Sequence, residues 1–258
     1  MSPIASSSRP SRAAARRALA LVALAWHARL PAVEPPAPAV AVPLYRAVPA
    51  APVRLHYRMD RGVWSGSGDL VWRPAGDRYE LRLEATVAGL AVLTEVSTGR
   101  LDGNGLAPLR YTDQRLRRTL QAATFDRAKG RITYAQRSGD APLPAGAQDR
   151  LSWMLQLGAV LNAQPQLASP GATVVFFVSG ARADAETWTF RYAGRETLRV
   201  AGGVNTAVKF TREPREPNDR SVEIWLAPAR QHLPVRARFT AEANGETFEL
   251  LLRDIAAP

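Results

Sequence analysis

From Val53 onward, apolar and polar side chains alternate with a period of two, and this alternation limits the possible folds more than any other feature. Val53, Leu55, Tyr57 and Met59 alternate with Arg54, His56, Arg58 and Asp60. Tyr79, Leu81, Leu83, Ala85 and Val87 alternate with Arg78, Glu80, Arg82, Glu84 and Thr86. The same rhythm returns in Trp188, Phe190 and Tyr192, and again in Leu233, Val235, Ala237 and Phe239. Successive side chains of a strand point to opposite faces, so each run predicts a half-buried strand with one wet side.

Turn residues punctuate the runs: Asp60-Arg61-Gly62, Pro74-Ala75-Gly76-Asp77, Ala88-Gly89, Asp102-Gly103 with Asn104-Gly105, Ala193-Gly194 and Asn244-Gly245. The spacing of Gly62, Gly76, Gly89 and Gly103 exceeds that of immunoglobulin-like sandwiches and predicts strands of about ten residues in consecutive hairpins. Long strands with one apolar face must curl around something, because a flat sheet would leave that face in water. The expected fold is all-β: a long-stranded antiparallel meander curled into an open or closed barrel. One helix, Gln148 to Leu161 with Asp149 as N-cap, is predicted to pack on the concave face. Thr173 to Val178 lacks polar alternation and predicts a strand buried on both sides under that helix.

Residues 1–30 read as an address. Arg12, Arg16 and Arg17 precede an apolar run from Ala18 to Trp26, the layout of an export signal. A membrane span wants about 20 apolar residues, and His27 and Arg29 interrupt this run early. The layout leaves three outcomes open: a cleaved signal, an inner-membrane anchor at residues 18–30, or a leader with no address. Residues 31–52 are rich in Pro and Ala and predict an extended spacer. Residues 53–258 then form one β-rich domain, facing the periplasm if the chain is exported and near the membrane through its N-terminus.

The net charge of +11 invites a nucleic-acid reading, but its distribution argues against one. Six arginines and one glutamate lie in residues 1–52, and basic residues are almost all Arg in a chain rich in Ala and Pro, a mixture that reads as codon bias. No cysteine is present, which excludes disulfides, thiolate metal sites, a cysteine nucleophile and an acylated lipoprotein anchor. His27, His56 and His232 share no metal-ligand spacing and read as solvated imidazoles. Gly66-Ser67-Gly68 lacks the spacing of a nucleophile elbow, and Gly99 to Gly105 lacks a phosphate-loop lysine. No cofactor, metal or catalytic residue is therefore predicted. Arg110, Arg115, Arg117 and Arg118 form the densest basic cluster and read as a solvated edge strand. Glu196 and Glu223 lie near apolar positions and call for partners, with Arg236 or Arg238 as candidates.

Several runs occur in a telling order: Gly105-Leu106-Ala107-Pro108-Leu109-Arg110-Tyr111, Thr124-Phe125-Asp126, Gln148-Asp149-Arg150-Leu151-Ser152, Glu223-Ile224-Trp225-Leu226-Ala227-Pro228 and Leu233-Pro234-Val235-Arg236. Together, over residues 53 to 256, they resemble the bacterial family catalogued as domain of unknown function 3108. The resemblance implies an exported, mostly β protein with long antiparallel strands and little helix, and it implies no activity. By analogy of shape, envelope half-barrels hold lipids or apolar ligands. The first expectation is thus a binding protein for an apolar or lipidic ligand. Its speculative ligand-binding residues are Trp153, Met154, Trp188 and Trp225, with Glu196 and Arg236. The alternative is a non-enzymatic scaffold that binds another envelope protein through a sheet edge or the Arg-rich strand. A minor alternative is a hydrolase using a rim glutamate, Glu196 or Glu223.

Overall fold

The computed structural model describes residues 42–200, 203–214, 219–241 and 243–258. The expected export signal or anchor, His27 and most of the proposed spacer lie outside these residues. Five long hairpin-connected strands open the domain: β1 (Val53–Arg61), β2 (Trp64–Ala75), β3 (Arg78–Val87), β4 (Leu90–Asp102) and β5 (Gly105–Arg115). Shorter strands follow, β6 (Gln121–Asp126), β7 (Arg131–Tyr134), β8 (Asp140–Pro142) and the two-residue β9 (Gln148–Asp149), before helix α1 (Ser152–Ala163). The second half is again antiparallel: β10 (Thr173–Ser179), β11 (Glu186–Val200), β12 (Gly203–Arg212), β13 (Arg220–Ala227), β14 (Leu233–Ala241) and β15 (Thr247–Ala256).

All fifteen strands belong to one sheet, in the order β8-β7-β6-β5-β4-β3-β2-β1-β15-β14-β13-β12-β11-β10-β9. The first and last strands pair at its centre, and the two edges come from the middle of the chain. The sheet curls but does not close by a backbone ladder. Side chains join its two ends instead: Ser97 Oγ on β4 donates to the Asp149 carboxylate on β9, and the hydroxyls of Tyr134 on β7 and Ser179 on β10 lie 2.9 Å apart.

The period-two reading holds along most of each run, with Val87, Tyr192 and Phe239 only half-buried. Leu55, Tyr57, Met59, Leu81, Leu83, Phe190, Val235 and Ala237 are all buried in one core, while their alternating neighbours face outward. Helix α1 lies inside the curl and is buried from Ser152 to Leu161. All-round burial explains its all-round hydrophobicity. Its first turn begins later than the sequence suggested, because Gln148 and Asp149 pair with β10 as a parallel strand. The N-cap position falls to Leu151, without a side-chain cap, rather than to Asp149, whose Oδ1 accepts from the N–H groups of Leu151 (2.9 Å) and Ser152 (2.7 Å) at the helix start.

Four local expectations are corrected. Ala193-Gly194 is not a hairpin turn but a bulge inside β11, where the register with β12 shifts and Gly194 takes φ +106°. In β10, Val174, Phe176 and Val178 are buried, whereas Val175 and Phe177 are only half-buried, so the strand has one core face rather than two. The strand carrying Arg110 and Arg115 is no edge, because β5 pairs with both β4 and β6. Nor are the two described histidines free imidazoles: His56 bonds Asp69, and His232 Nδ1 lies 2.8 Å from Asn162 Oδ1 on the helix.

The Pro/Ala-rich stretch enters the described residues at 42. From Tyr45 to Ala51 it has no regular secondary structure and is hydrogen-bonded to the domain as a strap. Val48 N–H donates to Ala159 O (2.8 Å), Ala47 N–H to Gly103 O (3.2 Å), and Trp72 Nε1 to Ala50 O (2.9 Å). The strap and the C-terminal end of α1 meet at the same end of the barrel, near the β4–β5 turn. The opposite end carries the site.

Candidate functional site

At that opposite end the curled sheet leaves a cavity of about 680 Å³, within the size range of small-molecule pockets. Its inner walls are apolar because they are the core faces of alternating strands: Leu83 and Ala85 of β3, Val222 of β13 and Leu250 of β15. The helix contributes Trp153 and Met154. Trp153 stacks on Phe190 with ring centroids 4.8 Å apart and meets Trp188 edge-on at 5.6 Å. Offset-stacked and edge-on pairs of this kind add to the packing of the cavity wall.

The mouth is charged. Arg61 makes two bonds to Glu246 (2.9 and 3.1 Å), linking the β1–β2 and β14–β15 turns. Asp113, almost fully buried, takes Arg115 and Arg182, both at 3.1 Å. Arg150 bridges Asp184 (3.0 Å) and Glu186 (3.2 Å), and its guanidinium lies 4.8 Å above the Trp188 ring. The buried Arg212 guanidinium also lies over Trp188, at 4.4 Å, and pairs with Asp219 (2.6 Å) and Glu186 (3.2 Å). Arg220 differs from these. Among the described residues no carboxylate stands within salt-bridge distance of it, and burial, followed by the charges of Arg150, Arg115 and Arg61, lowers its pKa against the opposing charge of Glu246.

Two further acids carry raised pKa values. Glu95 lines the cavity and accepts a hydrogen bond from the Tyr111 hydroxyl at 2.7 Å. Burial raises its carboxyl to about 7, with the nearby Asp113 and Asp149 charges adding to the rise. Asp149, fully buried, is pushed up to about 6 by burial, although Ser97 and the two helix N–H groups support its charged form. Tyr79, Ser97 and Asp149 form a buried chain of hydrogen bonds, the Tyr79 hydroxyl lying 2.9 Å from Ser97 Oγ. These groups can hold protons near neutral pH. Among the described residues no group of histidine, aspartate and glutamate has the arrangement of a metal site.

The six residues singled out from sequence separate into two places. Trp153, Met154 and Trp188 line the cavity. Trp225, Glu196 and Arg236 do not. They form a cluster on the sheet face turned away from the helix, where Trp225 Nε1 donates to Glu196 (2.7 Å) and Arg236 stacks 4.5 Å over the indole. Lys209 covers the same ring at 4.7 Å and pairs with Glu223, which also takes Arg238 at 3.2 Å. Both glutamates considered for acid–base work are thus held in this network and lie away from the cavity.

Sequence reasoning missed Glu95, Tyr111, Asp113, Arg150 and Arg220, and it read Arg115 as solvated. The register carries the signal that was overlooked. Leu93, Glu95 and Ser97 stand opposite Ala85, Leu83 and Leu81, and Tyr111, Asp113 and Arg115 stand opposite Ser97, Glu95 and Leu93. Parity with Tyr111 therefore sends Arg115 inward and leaves Arg110 outside.

A solved structure with the same architecture is the beta-barrel-like protein of domain of unknown function DUF1849 from Brucella abortus. Its TM-score is 0.50 at 11% identity, over 82% of this chain and all of that one. The Pseudomonas aeruginosa MucA/MucB complex matches more distantly (TM-score 0.37, 16% identity), over 80% of this chain and 53% of that one. A putative exported protein with YmcC-like fold from Bacteroides fragilis scores 0.30 at 10% identity, over 82% and 99% of the two chains. No curated protein matches the chain. The match that decides membership covers residues 53–251, almost the whole barrel with its helix and cavity: the chain belongs to the family described as protein of unknown function DUF3108.

Proposed function

We propose that this chain is an exported, envelope-side protein that holds an apolar or lipidic ligand inside its curled sheet. The observation that carries the reading is the cavity of about 680 Å³, walled in part by Leu83, Ala85, Met154, Val222 and Leu250 and lined also by charged residues such as Arg61, Arg150 and Arg220. An apolar chain entering it leaves water at roughly 0.8 kcal/mol per methylene, so ten methylenes give about 8 kcal/mol before the cost of association. Arg220 is the cation at the mouth available to an anionic end of such a ligand. Export draws its support from Arg12, Arg16 and Arg17 ahead of the apolar run Ala18 to Trp26. No helix among the described residues is long and apolar enough to cross a membrane.

The test is native mass spectrometry of the full chain incubated with envelope lipid extract. The expected result is a discrete adduct of one ligand per chain, displaced by a cavity-filling substitution such as Ala85→Trp that retains the folded charge-state distribution. Clean apo mass with every lipid class would sink the reading. A stoichiometric protein partner recovered in place of a lipid would favour the scaffold.

A further inference from the structure

Three neighbouring hairpin turns around the cavity mouth expose large apolar side chains that the fold does not use. Val63 and Trp64 in the β1–β2 turn are 94% and 68% exposed, Leu90 at the β3–β4 turn is 62% exposed, and Leu116 and Leu120 between β5 and β6 are 49% and 42% exposed. The strands run β6-β5-β4-β3-β2-β1 in the sheet, so these turns stand side by side at one end of it, about 10 Å apart at a strand spacing of about 4.8 Å. The other large exposed apolar side chains among the described residues lie elsewhere: Leu44 just before the strap, Val48 within it and Leu109 midway along β5.

The β5–β6 tip is held by its own hydrogen bonds. Arg118 N–H donates to Arg115 O (3.0 Å), Leu116 N–H to Val92 O (3.0 Å), and the Gln114 amide to both Arg115 O (3.0 Å) and Arg118 O (2.6 Å). The turn is thereby fixed with Leu116 and Leu120 outward and Arg117 and Arg118 between them, Arg117 in the left-handed region at φ 56°. Neither arginine has a carboxylate partner among the described residues. A fixed row of Val, Trp and Leu with two unpaired arginines is uncommon on a soluble surface, where apolar patches are dispersed. It suits the boundary of a bilayer, where Trp and Leu enter the headgroup layer and arginines meet anionic lipid.

We propose that the three mouth-side turns dock this domain on an anionic membrane surface, with Val63, Trp64, Leu90 and Leu116 entering the interface and Arg117 and Arg118 contacting lipid phosphates. The cavity opens among the same turns, with Arg61, Trp64 and Val87 in its lining, so docking turns its mouth toward the bilayer. A lipid bilayer fits better than a protein partner because the exposed side chains sit on separate turn tips beside two arginines with no carboxylate partner among the described residues. The docking stands on the surface alone and does not depend on what fills the cavity.

The chain has no cysteine, so a single introduced thiol can carry a reporter. The full chain is prepared as Val63→Cys, Leu90→Cys and Asp77→Cys, each labelled with an environment-sensitive dye. Asp77 lies in the exposed β2–β3 turn at the opposite end. With phosphatidylcholine vesicles containing a quarter phosphatidylglycerol, dyes at 63 and 90 are expected to shift to the blue and be quenched by spin-labelled lipid, while the dye at 77 is not. Arg117→Ser with Arg118→Ser is expected to weaken partitioning about tenfold or more, as is replacing the anionic lipid with a neutral one. Vesicle binding with no response at 63 or 90 would locate attachment in the N-terminal segment and overturn the proposal. So would an equal response at 77, or equal partitioning onto neutral vesicles. A protein partner captured through these turns without any vesicle response would overturn it too. None of these outcomes touches the ligand reading, which native mass spectrometry decides separately.

Discussion

Glu95 shows how a single side chain couples the cavity to pH. It shares the inner face of β4 with Leu93 and Ser97, and burial raises its carboxyl to about 7. In the unfolded chain the same group releases its proton near 4.5. Between those values the native state holds a proton that the unfolded state has lost, so stability falls as pH rises from about 4.5 to 7 and levels off above. The shift sets a ceiling of roughly 3 kcal/mol, reduced by whatever water reaches the cavity. Glu95→Gln keeps an acceptor for the Tyr111 hydroxyl and removes the charge. The variant is expected to gain up to about 2–3 kcal/mol over the parent at pH 8 and little at pH 4.5. Urea unfolding at the two pH values checks this, and an equal difference at both would show that Glu95 does not titrate with folding. Asp149 acts in the same direction, so the variant retains part of the parent's slope.

At the scale of elements, the helix completes a strand that runs out of neighbours. β6 pairs only with Arg110 to Asp113 of β5, which leaves the start of β5 without a ladder on that side. Two buried glutamines supply the missing bonds. Leu106 N–H donates to Gln156 Oε1 (2.8 Å), Gln148 Nε2 donates to Leu106 O (2.8 Å), and Gln156 Nε2 donates to Asn104 O (2.7 Å). Gln156→Leu leaves buried backbone groups unpaired and is expected to cost about 2–4 kcal/mol. Gln164→Leu loses one exposed bond to Arg46 O and is expected to cost under about 1 kcal/mol. Denaturant midpoints of the two variants test the contrast. This pairing also marks the limit of what the sequence can disclose. Strand periodicity was legible because alternation is a local property of nine to fifteen residues, as in β1 and β11. The glutamines were not, because their partners lie about fifty residues away and the apolar pattern of Leu151 to Leu161 gives no reason to single them out. Ala193-Gly194 was misread for a related reason: a bulge and a turn use the same residues, and only the partner strand distinguishes them.

Across the whole molecule, the chain begins and ends at the centre of the sheet and reaches both edges midway, so the seam between β8 and β9 depends on α1 staying in place. Three sets of bonds hold the helix: those of Asp149 at its start, those of Gln156 along its side, and that of the strap to Ala159 near its end. The strap lies within residues that read as a spacer in sequence, because proline and alanine carry no periodic signal even where a segment is packed. Its contacts are particular. Ala47 is buried, the Tyr45 hydroxyl accepts from Val175 N–H (3.0 Å), and the Ala50 carbonyl satisfies the indole of the buried Trp72. A chain beginning at Val53 loses these bonds and leaves Trp72 Nε1 without its acceptor. At about 1 kcal/mol for each net hydrogen bond, plus the penalty for the stranded indole, the loss is expected to reach about 3–5 kcal/mol. That corresponds to a fall of roughly 10 °C in Tm for a domain of this size. A chain beginning at Val42 keeps the strap and is expected to melt with the full-length protein. Thermal unfolding of the two truncations side by side decides the matter, and equal melting temperatures would mean that the strap rests on the barrel without holding it.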